Sequence, residues 1–266
     1  MCRNIYIALT AALIISGLWL TSASAVAQQR RVRVTPEIVR MGAFYGGATV
    51  RVEGVTGPDE KIIVVVRGPK VTEVFNQSGR VGPIWVNSGK VTISEVPSLF
   101  LVFSSEPVNA CLTRAAIDQF GLDLTALQKL MHIECKTRDC GRVAKDYFFY
   151  KKMQGSYSLV NGGFRMSQPD PGAVPCATYT LEFVLPRCAA PGQYQVSVLE
   201  CRGGGVVVSS DVPLQVMEVG FPALIAWLAS QHASSYGILS VVVALLAGFG
   251  IDFVAARLFK RKVAGH

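Results

Sequence analysis

Two apolar segments of different kinds bracket this chain, one at each end, and only the stretch between them is left to form a water-facing fold. Ile5 to Leu20 follows a single early cation, Arg3, and runs into Ser22-Ala23-Ser24-Ala25-Val26-Ala27, the small-residue pattern of a cleavable secretory signal over 1–27. Residues 236–259 are longer, carry Arg257 near their end and are followed by Lys260, Arg261 and Lys262, so they suit a single transmembrane helix with the basic tail 260–266 on the cytoplasmic side. The expected topology is a single-pass membrane protein whose N-terminal part lies outside the cytoplasm.

The charge of the exported part excludes one class of function. The chain as a whole carries +8, but between 28 and 236 there are 21 lysines and arginines against 17 acids, scattered without a basic stripe. A nucleic-acid footprint needs clustered cations, so nucleic acid is not an expected partner.

Cys2 leaves with the signal, and six cysteines remain: Cys111, Cys135, Cys140, Cys176, Cys188 and Cys201. An even number in an oxidising compartment predicts three disulfides, with Cys188–Cys201 favoured as a staple between neighbouring strands and the other pairings open.

From Arg31 to Ser105, short β-branched runs alternate with turn residues such as Gly57-Pro58-Asp59, Gly68-Pro69 and Asn87-Ser88-Gly89, the punctuation of an antiparallel sandwich. Ile62 to Val66 lacks alternation and reads as a strand buried on both faces. The character changes at Cys111. Thr113–Phe120, Leu124–His132 and Val143–Met153 carry apolar residues at helical spacing, and Asp123 is placed to cap the second of them. Strands return after Ser156, and Pro191-Gly192-Gln193-Tyr194-Gln195-Val196 is the turn and late strand of many immunoglobulin-like modules. The fold class expected is mainly β: one immunoglobulin-like sandwich over 28–108, a disulfide-tied helical insert over 109–155, a second sandwich over 156–219, and an interfacial segment over 220–235 before the span. In that segment Trp227, with Tyr236 just beyond it, suits the headgroup level.

Several phrases together resemble a family of bacterial transmembrane proteins of alphaproteobacterial type: Phe44-Tyr45-Gly46-Gly47-Ala48, Val64-Val65-Val66-Arg67-Gly68-Pro69, Gly82-Pro83-Ile84-Trp85-Val86-Asn87, Val96-Pro97-Ser98, Pro191-Gly192-Gln193-Tyr194 and Val219-Gly220-Phe221. The resemblance implies a signal peptide, a β-rich periplasmic region, one C-terminal transmembrane helix in a bacterial inner membrane, and no catalytic residues. It also implies an accessory role beside a sulfite-exporter-like permease. The six exported cysteines depart from the family's usual pattern.

No catalytic signature is present. The exported part has only His132 and His232 as imidazoles, and Gly-x-Ser-x-Gly, His-Glu-x-x-His and phosphate-loop motifs are absent, so neither an enzyme nor a cofactor is expected. His132, Cys135 and Cys140 have the residue types for a metal site and define the alternative reading, a periplasmic metal- or small-anion-binding receptor. A disulfide with a surface histidine is the expected outcome, since export consumes free thiols. Phe44, Arg67, Trp85 and Asn87 form a ligand-surface candidate set, against the plainer reading of the aromatics as core.

The sharpest functional hint lies in the span itself. Ser240, Ala244, Gly248, Asp252 and Ala256 recur every fourth residue, a small and polar face on a helix otherwise built of Leu, Val, Ile and Phe. Such a face admits a second helix closely, from another membrane protein such as a permease or from a second copy of the chain, and Asp252 is costly in lipid without a partner. The function expected is that of a non-enzymatic, membrane-anchored accessory or adaptor protein.

Overall fold

The computed structural model describes residues 32–57, 59–135, 140–167 and 176–259. The expected leader and the basic tail lie outside the described residues.

Thirteen strands are described, in three sheets. A four-stranded sheet has the order β1 (Arg33–Thr35), β3 (Ala48–Thr56), β11 (Ala177–Leu185), β10 (Phe164–Ser167). A six-stranded sheet runs β2 (Ile38–Met41), β13 (Gly205–Glu218), β12 (Gly192–Arg202), β4 (Lys61–Arg67), β7 (Phe100–Ser104), β9 (Tyr157–Asn161). Alternation builds the first core. Val50 and Val52 of β3, with Tyr179, Leu181, Phe183 and Leu185 of β11, are buried, while Arg51 and Glu182 between them point outward and pair at 2.6 Å. These inward residues pack on Ile62, Val64 and Val66 of β4 and on Val196, Val198, Leu214 and Val216.

The second core covers the other face of the six-stranded sheet. Ile63 and Val65 of β4, Phe100 and Val102 of β7 and Leu199 of β12 meet Val91, Ile93 and Val96 of a three-stranded sheet, β5 (Lys70–Val81), β6 (Ile84–Pro97) and β8 (His132–Cys135). Helices complete it: α1 (Val108–Cys111), α2 (Arg114–Phe120), α3 (Leu124–Leu130) and α4 (Cys140–Met153). In α4 the buried residues are Ala144, Tyr147, Phe148 and Lys151, spaced three and four apart, so one helical face is inside. The unbroken apolar run of β4 is thus explained: its alternate residues serve two cores.

Two expectations are corrected. The stretches 28–108 and 156–219 do not form separate sandwiches, because β3 pairs with β11 along nine residues and β4 lies between β12 and β7. Strands from both halves are interleaved within each large sheet. The segment from Leu124 to His132 is not helical throughout: α3 ends at Leu130, and His132–Cys135 forms β8 on the edge of β6. The expected cap is present, with Asp123 Oδ1 accepting from the Ala126 N–H at 2.7 Å.

After β13 the chain passes Gly220 into α5 (Phe221–Gln231) and then α6 (Ala233–Phe259). The 27 residues of α6 reach roughly 40 Å at about 1.5 Å each, enough to cross a bilayer. Its apolar stretch, Ala233–Arg257, has a mean hydropathy of 2.4, and none of it is buried within the chain.

Candidate functional site

The expected ligand-surface set does not converge. Phe44 is fully exposed in the loop after β2, and Asn87 lies near the turn of the β5–β6 hairpin, where its side-chain oxygen accepts from the Gly89 N–H at 3.1 Å. The Trp85 side chain lies outside the described residues. Arg67, at the end of β4, has a different setting from either.

Arg67 reaches from the central strand to the turn between α2 and α3. Its Nη2 donates to the carbonyls of Phe120 at 2.6 Å and Gly121 at 3.3 Å, and its guanidinium carbon stands 5.8 Å from the centre of the Phe100 ring. Those carbonyls are available because α2 stops there: Gly121 adopts a left-handed conformation with φ 60°, ending the helix and leaving its last carbonyls to be satisfied from outside. Burial pulls the guanidinium below its ordinary value, against the opposing charge of Asp211. Beside it opens a pocket of about 350 Å³ lined by Arg67, Phe120, Gly121, Leu127, Lys129 and Leu130 among others. Asp118 at the same rim is engaged by Arg114 at 3.1 Å and Lys129 at 3.6 Å. Sequence reading singled out Arg67 but missed its partners, which lie 53 and 54 residues away; the local signal was the Asp123 cap, which marks the start of α3 just beyond them.

The expected disulfide with a surface histidine is present, and the other two expected disulfides are not formed among the described residues. Cys135 and Cys140 form a disulfide with their α-carbons 6.2 Å apart, so neither offers a thiolate to a metal. His132 is exposed, 3.7 Å from Glu134, and its odd spacing from Cys135 puts it on the opposite face of β8. Among the described residues no cluster of three metal-ligating side chains occurs. The other four described cysteines are free thiols. The favoured Cys188–Cys201 staple is ruled out by position: Cys188 precedes the start of β12, with its sulfur 3.3 Å from Ser156 Oγ, while Cys201 is near the far end of that eleven-residue strand, roughly 30 Å along it. Cys176 and Cys188 are likewise held apart by the length of β11. Cys111 and Cys201 are both buried in the second core, where burial pushes the Cys201 thiol up to about 12.

In α6, Ser240, Ala244, Gly248, Asp252 and Ala256 follow one i±4 row, which winds obliquely round the helix and does not run parallel to its axis. The Ser240 hydroxyl donates to the Tyr236 carbonyl at 2.8 Å, so it carries no unmet hydrogen bond into an apolar medium. Arg257 does not pair with Asp252: its guanidinium lies 4.9 Å over the Phe253 ring, and Asp252 has no ion-pair partner among the described residues. In α5, Phe221, Leu224 and Trp227 are exposed, and Trp227 packs edge-on against His232 at 4.8 Å.

No curated protein and no solved structure matches the chain. A family match extends over residues 31–257, from β1 to the last turns of α6, and therefore covers the β body and the candidate span as one unit. The chain belongs to the family described as "Putative transmembrane protein (Alph_Pro_TM)".

Proposed function

We propose that this protein is a non-enzymatic, membrane-anchored accessory subunit. Its β body stands on the extracytoplasmic side, and α6 docks against another membrane protein through the row from Ser240 to Ala256. A permease of the sulfite-exporter kind is the partner class that the sequence resemblance implies. The observation that carries the reading is α6 itself: a 27-residue apolar helix whose span is not buried within the chain, bearing one acidic side chain, Asp252, that lipid disfavours. Small residues at Ala244 and Gly248 let a second backbone approach closely, and a partner helix with a donor supplies what Asp252 lacks. The exposed apolar side chains of α5 suit a helix lying at the headgroup level beside the span.

The test is affinity capture from mild detergent, run beside a variant carrying Gly248→Leu and Asp252→Leu, with bound membrane proteins identified by mass spectrometry. A permease recovered with the parent chain and lost with the variant supports docking through this row. Equal recovery by both, or no membrane protein with either, rejects it.

A further inference from the structure

We propose that the pocket beside Arg67 binds a small organic anion, its carboxylate on the guanidinium and its apolar body against Phe120, Leu127 and Leu130. The inference is independent of what α6 docks against, since it concerns the β body alone.

The first support is an unbalanced charge. Arg67 is drawn partly out of water, yet among the described residues no carboxylate is in ion-pair contact with it; Asp211, whose charge acts on it, accepts a hydrogen bond from Ser197 at 2.6 Å. Drawing a guanidinium out of water is unfavourable unless a counter-charge arrives. The second is geometry. Nη2 is held by the Phe120 and Gly121 carbonyls and the plane is supported by the Phe100 ring, so the head is fixed before any ligand comes, while Nε and Nη1 have no partner among the described residues. Each free N–H can donate a charge-assisted hydrogen bond to a carboxylate oxygen.

The surroundings select the rest of the ligand. The lining is mainly apolar, and about 350 Å³ lies in the range of small-molecule sites. The charges at the rim favour an anion: Lys129 adds a cation, and the one acid there, Asp118, is already engaged by Arg114 and Lys129. A cation would meet Arg67, and a fully polar anion would leave Phe120, Leu127 and Leu130 uncovered.

The experiment is calorimetric titration of the full chain in lipid nanodiscs, with empty nanodiscs as baseline, using 4-phenylbutyrate and its neutral amide. For a ligand of about twelve heavy atoms the expected dissociation constant is on the order of 1 mM. The amide is expected to bind at least about tenfold more weakly, because it forfeits the charged contact. Arg67→Met, which keeps an apolar stem, is expected to lose at least about tenfold in affinity for the acid, and Leu130→Trp, at an exposed rim position that fills the pocket, is expected to abolish binding. Should Arg67→Met fail to fold, the Leu130 variant decides: lost binding supports the pocket, retained binding overturns it. Equal affinity for acid and amide, or no saturation by the acid at about ten times the expected constant, also overturns the proposal.

Discussion

Lys151 Nζ lies 2.6 Å from Glu73 Oε1, joining α4 to β5 at a point where the lysine side chain is almost wholly buried. The ammonium also stands 5.6 Å from the centre of the Tyr147 ring and 5.9 Å from that of Tyr157. This ion pair ties the helical insert to the long hairpin, and it sits on an aromatic cluster in which Phe75 meets Tyr147 at 5.9 Å.

Breaking that pair from one side is expected to be costly. Glu73→Leu strands a buried ammonium and should destabilise the β body by about 3 kcal/mol, whereas Glu73→Leu with Lys151→Met should recover most of the loss, because the double change removes both desolvated charges. Urea unfolding followed by near-ultraviolet circular dichroism checks this; equal stability of the single and double variants would mean that the pair contributes nothing specific.

The second core predicts an alkaline limit. Burial raises the Tyr157 hydroxyl from 10.0 to about 12 and the Cys201 thiol from 9.0 to about 12. Both groups are neutral when protonated, and both hold their protons more tightly folded than unfolded. Their contribution is therefore complete below pH 9 and falls as pH rises from 9 towards 12, by roughly 1.4 kcal/mol for each pH decade and each group. Cys201→Ala should remove the part of the fall that begins near pH 9, and Tyr157→Phe the part that begins near pH 10, as read from melting temperatures across that range. A stability unchanged between pH 8 and pH 11 would contradict this.

Gly54 makes room for Tyr179. The two face each other across β3 and β11, and a β-carbon at Gly54 would stand 2.3 Å from the Tyr179 hydroxyl oxygen and 2.5 Å from its ring carbon. Tyr179 is fully buried, so the ring cannot swing into solvent. Gly54→Ala is expected to cost about 2 kcal/mol by overpacking, visible as a lowered melting temperature, whereas Gly46→Ala, which meets nothing within 4 Å, should leave it unchanged.

Local pattern made much of this fold legible, and partner choice did not. The run Ile62 to Val66 showed a doubly buried strand because both of its faces had to be apolar. The spacing in 114–120 and the Asp123 side chain marked α2 and the start of α3, since helical period and capping are local physics. The interleaving of β3 with β11 and of β4 with β12 left no such trace: each strand is satisfied by any partner of matching alternation, and these partners are more than a hundred residues apart. Strand β8 escaped because four residues are too few to show a period, and it stands on edge pairing with β6. The cysteines misled for a related reason, because closeness of Cys188 and Cys201 in sequence ignored the length of β12 between them. Arg67 was visible as a residue, but its pocket arises from a contact with the end of α2 across 53 positions.

The central claim, a β body held outside the cytoplasm by α6, is tested most directly through Cys188, an exposed free thiol on that body. Spheroplasts with an intact inner membrane, treated first with a mild reductant, should be labelled by a membrane-impermeant maleimide in the parent chain and much less in a Cys188→Ser variant. Labelling of Cys188 only after the membrane is ruptured would place the body inside the cell and contradict the account.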